Sequence, residues 1–146
     1  MKSLAARTLG IVATAGIAVG VAAAPAAAAA LDNTFELVTG SVSAYGTYDR
    51  MMSIPEHPVA PIRISGTLAV NSATACGVVQ VAYNGPTDGI EWRTFGTLCG
   101  RGKTNFTTTS NLLFGGFQPA VRLCKGTTVK KAERGTTCDT FTPTAN

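Results

Sequence analysis

The sequence predicts an all-β fold: a small antiparallel β-sandwich, or a partly closed barrel, of about seven or eight strands stapled by two disulfides. Three observations point there. Beyond the N-terminal segment, no stretch repeats apolar residues at helical spacing for three turns, so there is almost no helix signal. β-rich runs recur at short intervals between clusters of Gly, Pro, Asn and Ser. Cys76, Cys99, Cys124 and Cys138 make an even cysteine count in a short chain.

Residues 1–30 read as a cleaved secretory signal. Lys2 and Arg7 precede an uncharged run from Leu9 to Ala24, Pro25 breaks it, and Ala28-Ala29-Ala30 offers the small residues a signal peptidase needs. The run is shorter than the ~20 residues that span a bilayer, so no stable membrane insertion is expected after cleavage. The mature domain, 31–146, is then a single secreted unit with a frayed C-terminal tail. Export also places the cysteines where disulfides persist.

The strands are expected at Phe35–Val38, Val42–Tyr48, Ile62–Val70, Val78–Tyr83, Ile90–Leu98, Asn105–Thr109, Gln118–Lys125 and Thr137–Phe141. In the third, Ile62, Ile64, Leu68 and Val70 share a dry face opposite Arg63, Ser65, Thr67 and Ala69. Gly66 falls in the dry series, which marks a bulge or a close backbone approach. The fourth and fifth strands flank Asn84–Gly89, a turn-forming stretch, and a hairpin closed there brings Cys76 opposite Cys99. Cys124 and Cys138 pair likewise. Counting along that hairpin from the first bridge sets Tyr83 opposite Trp92. Val79, Val81, Tyr83, Trp92, Thr94 and Gly96 then face the core, and Val78, Gln80, Ala82, Arg93, Phe95 and Thr97 face out. Pro55, Pro58 and Pro61 exclude regular structure from the 49–61 segment.

Charge is modest overall but uneven. The chain has 12 Lys and Arg against 8 Asp and Glu, and loss of Lys2 and Arg7 leaves ten against eight. The segment 31–91 is acidic and the segment 92–146 is basic. Two readings follow: mutual attraction within the fold, or a basic face for an anionic extracellular partner. Arg101, Lys103, Lys125, Lys130, Lys131 and Arg134 are the cations such a face would use. A net charge this small, with no aromatics interleaved among the cations, does not point to nucleic acid.

Catalytic patterns are scarce. His57 is the sole histidine, and no serine stands in a G-x-S-x-G elbow. Asp49, Glu56, Asp88 and Glu91 are the carboxylates a glycosidase could pair; Asn84, Asp88 and Glu91 lack the ligand spacing of a calcium loop. No catalytic residue, metal ligand or cofactor is assigned. Tyr45 and Tyr48, on a strand rich in Gly, Ser and Thr, are the expected exposed aromatic platform, whereas Trp92 is expected in the core. The reading is a secreted, non-enzymatic module binding an extracellular macromolecule, a glycan of the cell wall or a protein. The alternatives are an inhibitor of extracellular hydrolases, using the Met51–Pro61 loop or the basic loop as bait, and a small secreted hydrolase.

Overall fold

The computed structural model describes residues 33–52, 54–55, 59–84, 89–110 and 118–143. The N-terminal segment expected to act as a signal, Glu56, His57, Asp88 and residues 111–117 lie outside the described residues. Among the described residues, the chain order is β1 (Thr34–Thr39), β2 (Val42–Arg50), β3 (Ile62–Val70), β4 (Cys76–Asn84), β5 (Ile90–Cys99), β6 (Gly102–Thr109), β7 (Val121–Gly126), α1 (Val129–Glu133) and β8 (Cys138–Phe141). The strands form two antiparallel sheets of four, ordered β1-β2-β3-β6 and β5-β4-β7-β8. No described helix is long and apolar enough to cross a membrane.

Alternation in the sequence makes the first sheet two-faced. Phe35 and Leu37 on β1, Val42, Ala44 and Tyr48 on β2, Ile62, Ile64, Leu68 and Val70 on β3, and Phe106 on β6 are buried. The second sheet answers with Val79, Val81, Val121 and Leu123. Burying each Ile, Leu or Val is worth about 1.5–3 kcal/mol. Gly77 permits the sheets to close at one end: a Cβ there would stand 2.4 Å from Val42 Cγ1 and 3.1 Å from Leu68 Cδ1. At the other end four aromatic rings fill the space. Phe141 lies 5.9 Å from Phe35 and 5.4 Å from Tyr48, and Phe106 lies 6.5 Å from Phe35, centroid to centroid.

Both disulfides form as the sequence predicts, Cys76–Cys99 and Cys124–Cys138. Each joins directly opposed residues of neighbouring strands, the arrangement in which facing Cβ atoms come close enough to bridge. The hairpin register holds from Cys76↔Cys99 to Val79↔Gly96 and then slips by one at a bulge between Val79 and Gln80. Phe95 is the extra residue on β5. Tyr83 therefore faces Glu91, not Trp92, and Trp92 falls opposite Ala82 on the outer face. Phe95 instead stacks on Tyr83 at 5.7 Å, and Arg93 covers the same ring at 4.7 Å.

The face of β4 expected to meet water is covered. Val78, Gln80 and Ala82 are buried because the segment after β7 folds back as α1, a helix the sequence pattern does not announce. Five residues are too few to display a helical period. Its start is capped by Thr128, whose Oγ1 accepts from the Lys131 N–H at 3.2 Å. Ala132, its fourth residue, is fully buried against Gly126, where a Cβ would come 2.5 Å from the Ala132 nitrogen. Thr128→Ala is expected to cost about 1 kcal/mol through the lost cap, read as a lower urea midpoint with an unchanged slope.

Beneath α1, Gln80 is satisfied on both ends. Its Oε1 accepts from Arg122 Nε at 2.8 Å, and its Nε2 donates to Thr94 Oγ1 and the Glu133 carbonyl. The Arg122 guanidinium stacks on Trp92 at 4.2 Å, and burial pulls it below its ordinary pKa because desolvation disfavours the charged form. Across the open side of the sandwich, the Asp139 carboxylate of β8 accepts the Val38 N–H of β1 at 2.9 Å, a link between edge strands of the two sheets.

Candidate functional site

The middle of the first sheet's outward face is built of hydroxyls, one amide, one carboxylate and one aromatic ring, with Asp49 and Arg63 one row beyond on one side and Lys103 one row beyond on the other. Registers across the four strands align these side chains in transverse rows. Thr34, Thr47, Ser65 and Thr107 stand abreast on β1, β2, β3 and β6. Glu36, Tyr45, Thr67 and Asn105 form a parallel row. Between them lies the row Phe35, Gly46, Gly66, Phe106, which contributes its side chains, where it has any, to the interior. A groove results, crossing the sheet at right angles to the strands.

The two glycines of the floor answer the choice left open at Gly66. The register runs through without a bulge, and the backbones approach closely. A Cβ on Gly46 would fall 2.0 Å from the Ser65 carbonyl oxygen, and one on Gly66 would fall 2.5 Å from that of Tyr45. The Phe106 ring fills the interior beneath Gly66, 3.0 Å from such a Cβ. At Gly66 an aromatic ring of the neighbouring strand thus occupies the space a side chain would need, whereas at Gly46 backbone alone fills it.

Tyr45 stands 43 % exposed at the middle of the groove. On either side of it is a depression: about 510 Å³ towards β1, bounded by Thr34, Glu36, Tyr45 and Thr47 with Phe35 and Phe141, and about 400 Å³ towards β6, bounded by Tyr45, Thr47, Ser65, Thr67, Asn105 and Thr107 with Phe106. The walls are pre-ordered by side-chain hydrogen bonds, Thr67 Oγ1 to Asn105 Oδ1 at 3.0 Å and Thr107 Oγ1 to Ser65 Oγ at 3.3 Å. Glu36 is the sole charged residue bounding either depression among the described residues. Such a surface can stack one ring face and exchange many neutral hydrogen bonds.

Tyr48 does not join Tyr45. It is three residues on, so the period of two turns it to the opposite face, where it packs on Phe141 and is 9 % exposed. Trp92 is not a core residue either; it supports Arg122 on the outside of the second sheet.

The cations are dispersed rather than gathered into one patch. Arg101 sits in the β5–β6 turn and Lys103 on the outer end of β6. Lys130, Lys131 and Arg134 lie exposed on or just after α1, on the second sheet's side. Lys125 does not project from a loop. It is on the inward face of β7, opposite Gly77, and its stem reaches across the end of the sandwich to Gly40. Lysine stems often cover apolar surface in this way. The amine opens on a separate depression of about 410 Å³, lined also by Ser72, Thr74, Thr127 and Thr137.

Of the carboxylates considered for catalysis, Asp49 is exposed opposite Arg63, and Glu91 pairs with Arg93 at 3.3 Å on the surface. Among the described residues no group of three or more His, Cys, Asp or Glu could hold a metal ion. The transverse groove itself was missed in the sequence, although its signal was there: Gly46 and Gly66 each stand inside an alternating run, on the dry side, flanked by polar residues. Comparison of the chain with family models, with curated proteins and with solved structures finds no match in any of the three.

Proposed function

We propose that the domain is a secreted, non-enzymatic glycan-binding module that holds a polysaccharide on the outward face of its first sheet. One observation carries the reading: Tyr45 stands exposed at the centre of a groove that combines hydroxyl and amide side chains with the edges of Phe35, Phe106 and Phe141. Sugars present apolar ring faces and a dense array of hydroxyls, and this groove offers the complement of both. Two disulfides in a small β fold suit an extracellular setting, and the N-terminal sequence supplies the export signal. The alternating rigid strands hold the wall side chains in fixed geometry, which lowers the ordering cost of binding.

Tyr45→Ala is expected to weaken retention on insoluble polysaccharide about tenfold, the loss of roughly 1.4 kcal/mol of stacking. Its melting temperature is expected to stay close to that of the parent, since surface substitutions fall within about 0.5 kcal/mol. Tyr45→Phe keeps the ring and is expected to keep most of the binding. Equal retention of the alanine variant and the parent would remove the reading.

A second reading is favoured by a different observation. Met52 is 92 % exposed, beside exposed Met51 and Ile54, at the start of the 51–61 segment. An inhibitor of extracellular proteases would present such a segment as bait. A stoichiometric excess of the domain that leaves a panel of secreted proteases fully active discards it.

A further inference from the structure

We propose, resting on the glycan-binding reading above, that the ligand is a linear, uncharged, β-linked pyranose chain laid across the strands, contacted over about four consecutive sugar units. Direction follows from the register. The floor residues Phe35, Gly46, Gly66 and Phe106 are abreast on four successive strands, so the groove runs from β1 to β6 and not along any strand.

Length follows from strand spacing. Neighbouring strands lie about 4.8 Å apart, so Thr34, Thr47, Ser65 and Thr107 set four hydroxyls in a row about 14 Å long. An extended β-linked pyranose chain advances by nearly the same step per ring, which brings one wall hydroxyl to each sugar. A coiled α-linked chain leaves that row after one or two units. Tyr45 bounds both depressions and so meets a ring in the middle of the bound stretch.

Charge narrows the class further. No Lys or Arg bounds either depression among the described residues, and Glu36 stands on the wall. A polymer of uronates or phosphates would meet a carboxylate on the wall, while the cations of this face, Arg63 beside Asp49 and Lys103, stand one row outside the groove on either side.

The test titrates the mature domain with β-1,4-linked oligomers, dimer to hexamer, of glucose, xylose, mannose and N-acetylglucosamine. An α-1,4-glucose series and an oligogalacturonate series run beside them. Affinity is expected to climb with length in at least one β series and to level off at about four units, the span of the strand row. Thr34→Ala and Thr107→Ala, at the two ends of that row, are each expected to weaken hexamer binding about threefold, one neutral hydrogen bond's worth, and to leave dimer binding unchanged. Preference for the α-linked or the galacturonate series, or an affinity independent of length, overturns the assignment of ligand while sugar binding itself stands. No binding to any oligomer, with no retention on insoluble polysaccharide, overturns both.

Discussion

Gly46→Ala is expected to lower the stability of the domain by about 3 kcal/mol, at the upper end of the usual cost of overpacking. The atoms in the way are backbone. An added methyl would sit 2.0 Å from the Ser65 carbonyl oxygen and 2.6 Å from the Gly66 Cα. No rotamer change relieves that contact, so β2 and β3 must separate at their midpoint, where both are paired on both sides. Gly96→Ala is the matching control. Its methyl would meet Phe106 Cβ at 3.4 Å, an approach small shifts can accommodate, and a loss within about 1 kcal/mol is expected. Urea unfolding of both variants checks the pair. Equal midpoints for the two would refute the close approach of β2 and β3 as the cause. The same experiment bears on binding, because parted strands no longer hold Thr47 and Ser65 abreast.

Loss of the disulfides is the other large effect. The bridges span 23 and 14 residues, and loop-closure entropy assigns each about 3 kcal/mol of stability. Against a total of about 5–15 kcal/mol for a domain of this size, the two together make up about 40 % or more of the stability. Cys76→Ala with Cys99→Ala, and Cys124→Ala with Cys138→Ala, are each expected to lower the unfolding free energy by about 3 kcal/mol. The two pairs differ in what they release. The second bridge holds the ends of the segment that carries α1, so its loss is expected to speed amide exchange at Val78, Gln80 and Ala132 before the rest of the sheet. The first bridge ties β5 to β4, and its loss is expected to loosen the edge strand instead. A urea midpoint that does not move on addition of reductant would contradict both expectations.

Much of this architecture was legible in the sequence, and the failures have identifiable causes. Ile62, Ile64, Leu68 and Val70 alternate cleanly because β3 has one dry face. The cysteine spacing disclosed both pairings because each bridge lies within a pair of neighbouring antiparallel strands. The hairpin count failed beyond Val79 because a bulge adds a residue on one strand only, and no residue type at Phe95 announces it. The wetness of the outer face of β4 was misjudged for a related reason. Gly77-Val78-Val79-Gln80-Val81-Ala82-Tyr83 reads as a nearly continuous apolar run, the pattern of a strand buried on both sides, yet what covers it is a helix too short to have a period. Tyr48 was separable from Tyr45 by parity alone. The groove escaped because a binding row that crosses strands draws one residue from each of four segments, and the sequence does not state which four are abreast until the registers are known.

The link from Asp139 to Val38 bears on how the domain behaves in company. Val38 lies on an outermost strand and is 52 % exposed, the kind of rim on which a second molecule can template itself into a growing ribbon. With its amide already occupied from the facing sheet, the rim presents an interrupted ladder, and a carboxylate stands where the intruding chain would dock. The residue that links the two sheets at this rim therefore also removes one donor from the ladder a second molecule would need.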